Sequence, residues 1–210
     1  MMSCVRYNII GLFLLFSTCV CAQGVLESDT TKLLLHNTCM KIGNEFWYFD
    51  SWHYADGYIP DSTDACITIH SAIPLDKLRA EFCSLNKQLV LGVGEFIELG
   101  IGMNGDKTSG YALRMTKTGH DDAIMSLIKY ENGQETCIAS APTMKRTKQH
   151  VTFSLQLKGD KLKAVVRSGL KRTNLNTIIE KINNIEHDYV IKIHCNTPPS
   201  FMITDNICTD

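Results

Sequence analysis

Between Phe96 and Gly169 apolar side chains recur at every second position, and each run is closed by residues that turn the chain back. Phe96 to Met103 places Ile97, Leu99, Ile101 and Met103 on one side, and Gly110 to Met115 does the same with Tyr111, Leu113 and Met115. Ile124 to Tyr130 runs into Asn132-Gly133, a dipeptide favoured in type I′ hairpins because both central residues take φ > 0. Val151 to Leu157 alternates without interruption, turns at Gly159-Asp160, and returns with Leu162, Ala164 and Val166 aligned. Side chains of a strand point alternately to its two faces, so this period requires strands with one face buried and the other wet. A helix would scatter the same residues around its circumference. The stretch therefore predicts an antiparallel sheet, and its apolar face needs a second layer to cover it.

The sandwich is expected to be built on residues 96–169, and the flanking segments carry further patterns. Asn44 to Tyr54 holds both tryptophans, Trp47 and Trp52, with Phe46, Tyr48 and Phe49 close by, and Glu45, Asp50, Asp56, Asp61 and Asp64 lie in or just after it. Two readings stand: exposed aromatics beside carboxylates can stack on sugar rings, and aromatic strands also fill sandwich cores. Pro74 to Cys83 predicts a short helix, with Leu75, Leu78 and Phe82 on one stripe and Pro74 in the first turn. Asn174 to Ile185 predicts another, with Leu175, Ile178, Ile179, Ile182 and Ile185 behind a capping asparagine, although its β-branched content also suits a strand. Tyr189 to His194 reads as a strand and Phe201 to Thr204 as a last short one. The fold class predicted is all-β, a two-sheet antiparallel β-sandwich with one or two short helices. A chain of 210 residues with no repeat and no Pro/Gly/Ser-rich linker suits a single domain of this kind.

At the N-terminus Arg6 precedes the apolar run Ile9 to Phe16, followed by small residues ending Val20-Cys21-Ala22. That pattern predicts a signal peptide over residues 1–22, a mature chain starting at Gln23 and a secreted, extracellular protein. The run is far shorter than the ~20 residues a membrane span requires, and no later segment is long and apolar enough to span. Removing Cys4, Cys19 and Cys21 leaves Cys39, Cys66, Cys83, Cys137, Cys195 and Cys208. An even number in an oxidising compartment predicts three disulfides, with Cys195–Cys208 the one pairing singled out. Zinc ligation by His194-Cys195, or by His36 and Cys39, competes with it, but no C-x-x-C pair is present.

The order Gly110-Tyr-Ala-Leu-Arg, then Met125 to Thr136, then Val151 to Lys163 resembles the concanavalin A-like jelly roll, the superfamily of laminin G-like modules, many lectins and some glycanases. The likeness covers the middle third of the chain and lies in strand pattern. It implies that residues 23–210 form one concanavalin A-like, laminin G-like sandwich. For a glycanase of that superfamily it implies carboxylates at i, i+2 and i+4 of one strand. The nearest match here, Glu95 and Glu98, has an offset that sends side chains of a strand to opposite faces. No G-x-S-x-G, H-E-x-x-H or P-loop is present, so no catalytic residue is assigned and the protein is expected not to be an enzyme. Asn104, Asp106 and Thr108 could offer oxygens to calcium, but Asn-Gly-Asp loops commonly serve as plain turns, and Lys107 would oppose a divalent ion. No metal or cofactor is expected.

Charge supplies the functional signal. Formal net charge is −1 over the whole chain, which gives no reason to expect nucleic acid as partner. Between Thr143 and Arg172, however, Lys145, Arg146, Lys148, Lys158, Lys161, Lys163, Arg167, Lys171 and Arg172 face a single acid, Asp160. Lys161, Lys163 and Arg167 would share the outer face of one strand. A solvated face accounts for scattered lysines; cationic residues concentrated on one strand and its flanking loops point to an anionic ligand. The patch expected comprises Lys145, Arg146, Lys148, Lys161, Lys163, Arg167, Lys171 and Arg172, with Trp47 and Trp52 as possible sugar contacts. The partner would be an extracellular glycan, sulfated or otherwise anionic, or an acidic protein. The alternative is a structural or adhesive protein using a protein–protein face.

Overall fold

In the computed structural model, residues 33–35, 38–42, 45–54, 57–71, 76–84, 91–119, 122–143, 150–179, 188–195, 201–203 and 207–209 are described. The expected signal peptide lies outside them, as do Lys145, Arg146 and Lys148. Among the described residues every regular element is a β-strand, and none is a helix long and apolar enough to cross a membrane.

The strands, numbered along the chain, form two sheets. The eight-stranded sheet runs β11 (Gln134–Pro142), β10 (Ala123–Glu131), β9 (Gly110–Lys117), β8 (Phe96–Met103), β15 (Asp188–His194), β6 (Asp64–Ser71), β3 (Glu45–Asp50) and β2 (Thr38–Ile42). The nine-stranded sheet runs β1 (Leu33–Leu35), β4 (Trp52–Tyr54), β5 (Tyr58–Pro60), β16 (Phe201–Ile203), β7 (Lys77–Ser84), β12 (His150–Lys158), β13 (Lys161–Ser168) and β14 (Lys171–Ile178), with β17 (Cys208–Thr209) also on β7. Every pairing is antiparallel. The predicted two-sheet antiparallel sandwich is therefore the fold.

Its core lies where the two alternating faces meet. Ile97, Leu99, Ile101, Leu113, Met115, Leu127 and Ile191 come from one sheet, and Leu78, Phe82, Val151, Phe153, Leu155, Leu162 and Val166 from the other. Burying a side chain of this size stabilises the fold by about 1.5–3 kcal/mol. The Phe82 and Phe153 rings meet edge to face, centroids 5.0 Å apart. The Asn132-Gly133 turn has φ values of 52° and 79°, the two positive angles a type I′ hairpin needs. Gly159 (φ 63°) and Gly169 (φ 59°) open the two tight turns that carry β12 through β13 into β14.

Where the two expected helices fall on described residues, the chain forms strands instead, and residues 180–185 of the second lie outside the described residues. In place of the helix over 74–83, β7 alternates, with Leu78, Ala80 and Phe82 buried and Lys77, Arg79 and Glu81 on the other side. Leu78 and Phe82 are four residues apart, a spacing that fits one helical turn and two strand repeats equally. The strand prevails because it also buries Ala80 and pairs with β12. Residues 174–178 of the second segment belong to β14, with Ile178 75% exposed although the helical stripe counted it as apolar contact. Met103 departs from its expected face too. Gly102 takes φ 62°, and the Met103 thioether then lies over Gly100, 3.2 Å from where a Cβ would sit. It packs with Val190 on the outer side of the eight-stranded sheet.

The three expected disulfides are not found: no bond joins Cys39, Cys66, Cys83, Cys137 and Cys195 to one another, and Cys195 is not bonded to Cys208. The ladder explains this. Cys39 lies opposite Tyr48, Cys66 opposite Asp50 and Lys192, Cys83 opposite His150, and Cys137 opposite Ile128. No two are cross-strand partners, and strands two apart are separated by about 9.6 Å, beyond the roughly 4.4–6.8 Å between Cα atoms that a disulfide spans. Cys195 is buried, and desolvation, reinforced by the nearby Glu95 carboxylate, pushes its thiol up to about 12. The thiolate is the reactive form, so alkylation of the native protein at pH 8 is expected to modify exposed Cys137 first and to spare Cys195. Peptide mass mapping after denaturation without reductant should then find both alkylated. Cys195 accessible only after reduction would contradict the structure.

Candidate functional site

β12 runs between β7 and β13, and its two faces do different work. Val151, Phe153, Leu155 and Leu157 point into the core, leaving Thr152, Ser154 and Gln156 on the outer surface. The register then fixes what flanks each of them. Gln156 lies between Lys77 on β7 and Lys163 on β13; Ser154 lies between Arg79 and Val165; Thr152 lies between Glu81 and Arg167. Beyond Arg167, β14 places Arg172 directly opposite it. The result is a shallow groove of about 410 Å³, with His150 at one end of its floor.

Among the described residues five cations line this groove, Lys77, Arg79, Lys163, Arg167 and Arg172. The neighbouring carboxylate on the same face, Glu81, is engaged by His150 Nδ1 at 2.9 Å. Like charges directly opposite on adjacent strands destabilise a sheet, and Arg167 and Arg172 are such a pair. An anion bound between them would relieve that repulsion. Arg172 is partly oriented already, its Nε donating to Asn174 Oδ1 at 2.5 Å.

Of the residues expected from sequence, Lys163, Arg167 and Arg172 come together here. Lys161 lies on the same outer face at the start of β13, outside the groove lining, and exposed Lys171 projects from the other face of edge strand β14. Lys77, Arg79 and the polar floor were missed; strand alternation at 77, 79 and 81 was the available signal, masked by the helical reading. Trp47 and Trp52, expected as possible sugar contacts, lie in the core instead of on a surface. They are 5% and 0% exposed, and Trp47 packs with Phe49 and Tyr58 between the sheets, its indole N–H donating to Glu45.

The outer face of the eight-stranded sheet is charged but neutralises itself. Buried Glu98 accepts from Arg114 Nε at 2.6 Å and from the Tyr130 hydroxyl at 2.9 Å, while Arg114 bridges onward to both Glu135 oxygens at 2.7 and 2.8 Å. Burial opposes the charge on Arg114, yet Glu135 and Glu98 outweigh it and hold its pKa above the ordinary value. Burial and the Glu98 charge likewise raise Tyr130. His70 pairs with Asp188 at 2.5 Å and His194 with Asp64 at 2.6 Å. Glu95 belongs to a different bond set, accepting from Gly92 N at 2.5 Å. Glu95 and Glu98 thus do not face each other as an acid and nucleophile would. In the 104–109 loop, Asp106 accepts from the Thr108 N–H and hydroxyl, and Asn104 from Ser109 N, so these oxygens hold the turn itself.

Two antiparallel sheets packed in this manner, with the middle strands in the order read from sequence, define a lectin-like sandwich of the concanavalin A-like jelly-roll fold. The exoplasmic/lumenal domain of VIP36 is similar: its form bound to Ca²⁺ and Man3GlcNAc aligns with a TM-score of 0.55 at 12% identity, over 75% of this chain and 80% of that one. Its Ca²⁺- and Man2-bound form gives 0.54 at 10% identity, over 75% and 78%. The carbohydrate-binding module CBM66 from Bacillus subtilis aligns over 85% and 94% with a TM-score of 0.46 and 13% identity. No protein-family model matches the sequence, and no curated protein matches it.

Proposed function

We propose that this chain is a secreted, non-catalytic glycan-binding module whose basic groove takes an anionic, sulfated chain. The observation carrying the proposal is the convergence of Lys77, Arg79, Lys163, Arg167 and Arg172 from three strands around the polar floor of a fourth. The fold supports the glycan class, since VIP36 forms with this architecture contain bound mannose saccharides. The self-neutralised opposite face offers a charged ligand less. Secretion rests on the leader-like residues 1–22, and an extracellular module meets sulfated glycans rather than nucleic acid.

Each exposed ionic contact contributes roughly 0.2–1 kcal/mol, so affinity requires several at once and declines as salt screens them. On a heparin column the wild type is expected to elute well above physiological salt. The triple variant Lys163→Ala/Arg167→Ala/Arg172→Ala should elute near the void at the same pH. Passage of the wild type straight through at low salt would refute the proposal.

A further inference from the structure

Resting on that reading of the groove, we infer that the bound chain lies lengthwise along β12 with anionic groups on both of its sides. On this account β7 is a specificity-determining wall, and β12 recognises the polyol backbone between the charges. The register supplies the geometry. Lys77 and Lys163 flank Gln156 from opposite sides, so the two walls stand about 9.6 Å apart, twice the strand spacing. Lys77 and Arg79, alternate residues of one strand, are about 6.8 Å apart along the near wall, and Lys163 and Arg167 about 13.6 Å apart along the far one.

The pattern is asymmetric. At the Gln156 row both walls are cationic, and at the Thr152 row Arg167 and Arg172 face Glu81, already engaged by His150. A ligand matching it carries anionic groups on both edges at one end and on the β13–β14 edge alone at the other. It must also reach from Gln156 to Thr152, about 13.6 Å.

The floor sets the chemical class. Thr152 and Ser154 present hydroxyls and Gln156 an amide, each able to donate and to accept, as sugar hydroxyls require. Among the described residues, no Phe, Tyr or Trp side chain lines the groove. Single-stranded nucleic acid binds largely through base stacking on aromatic rings, which this surface does not offer. A sulfated oligosaccharide meets both requirements.

Titration calorimetry with size-defined heparin oligosaccharides tests this, over a salt series and beside single-stranded DNA of equal charge. The Lys77→Ala/Arg79→Ala variant should bind on the order of ten-fold more weakly than wild type. Its slope of log K against log[salt] should be about two units shallower, since each lost cation removes roughly one released counterion. Lys77→Arg/Arg79→Lys should restore both, which a merely misfolded variant would not allow. The floor variant Thr152→Val/Ser154→Ala should lose affinity with the wild-type slope, and DNA should bind at least ten-fold more weakly than heparin. Unchanged binding by the Lys77/Arg79 variant, while the Lys163/Arg167/Arg172 variant still fails, would overturn the two-walled account and leave the anionic-glycan reading standing. Equal affinity for DNA and heparin would overturn the role of the floor. Failure of the wild type to bind any heparin fragment would remove the reading itself.

Discussion

Replacing Arg114 with alanine is expected to lower the stability of this protein by about 3–5 kcal/mol, the range for removing one partner of a buried ion pair. Arg114 sits on β9 opposite Glu98 on β8, and the Glu98 side chain is 4% exposed. Without the guanidinium the carboxylate keeps the Tyr130 hydroxyl as hydrogen-bond donor and loses the ion pair that compensates its buried charge. The guanidinium also lies 4.4 Å from the centre of the Phe96 ring, so packing is lost along with charge. The urea midpoint should shift at constant m-value. The double variant Arg114→Met/Glu98→Gln should recover much of the loss, because no buried charge remains unpaired and the Glu135 carboxylate it releases is half-exposed. A single variant as stable as wild type would show that the network contributes nothing.

The same network carries a pH dependence. The hydrogen bond from Arg114, with its charge, holds Glu135 below its ordinary value of 4.5. A carboxyl whose folded pKa is depressed contributes stability above the unfolded value, and loses it as pH falls through the folded one. The contribution is modest, since the Glu135 side chain is 47% exposed and solvent screens it. Stability should therefore decline below about pH 4.5, and less steeply in Arg114→Ala than in wild type.

Phe153→Ala should cost a similar amount, about 3–5 kcal/mol, by opening a cavity against Phe82 in the centre of the core. Phe153→Leu, closer in volume, should cost less than about 1.5 kcal/mol. Phe153 lies on β12 between Thr152 and Ser154, and points away from the groove they line. Heparin affinity of Phe153→Leu, measured where the variant is fully folded, should therefore match wild type. The two readouts separate the strand's structural face from its binding face. A Phe153→Ala variant losing under 1 kcal/mol would mean that the sheets do not meet there.

The strands from Phe96 to Ser168 could be read from the chain because their evidence is local. Period-2 burial, Asn132-Gly133 and the glycine turns each lie within a few residues of the backbone they shape. Lys163 and Arg167 could be placed on one face for the same reason. β7 and β14 could not. Leu78 and Phe82, like Leu175 and Ile179, are four apart, and that spacing satisfies helix and strand alike. The choice fell to long-range pairing, Arg79 against Ser154, to which no local pattern points.

The tryptophans show the same division. Composition and spacing could not tell a sugar platform from a core; packing of Trp47 against Tyr58 of the other sheet decided for the core. The cysteine count suggested disulfides, but bonds require proximity, and the register kept the described cysteines off one another's partners. What the amino-acid order determined alone was the alternation that separates wet faces from dry, and the excess of positive charge carried by the wet one. Tertiary structure decided which strands stand side by side. Only that pairing brought Lys77 and Arg79 across from Lys163 and Arg167, because residues distant in sequence acquire a common surface only once backbone hydrogen bonds set their register.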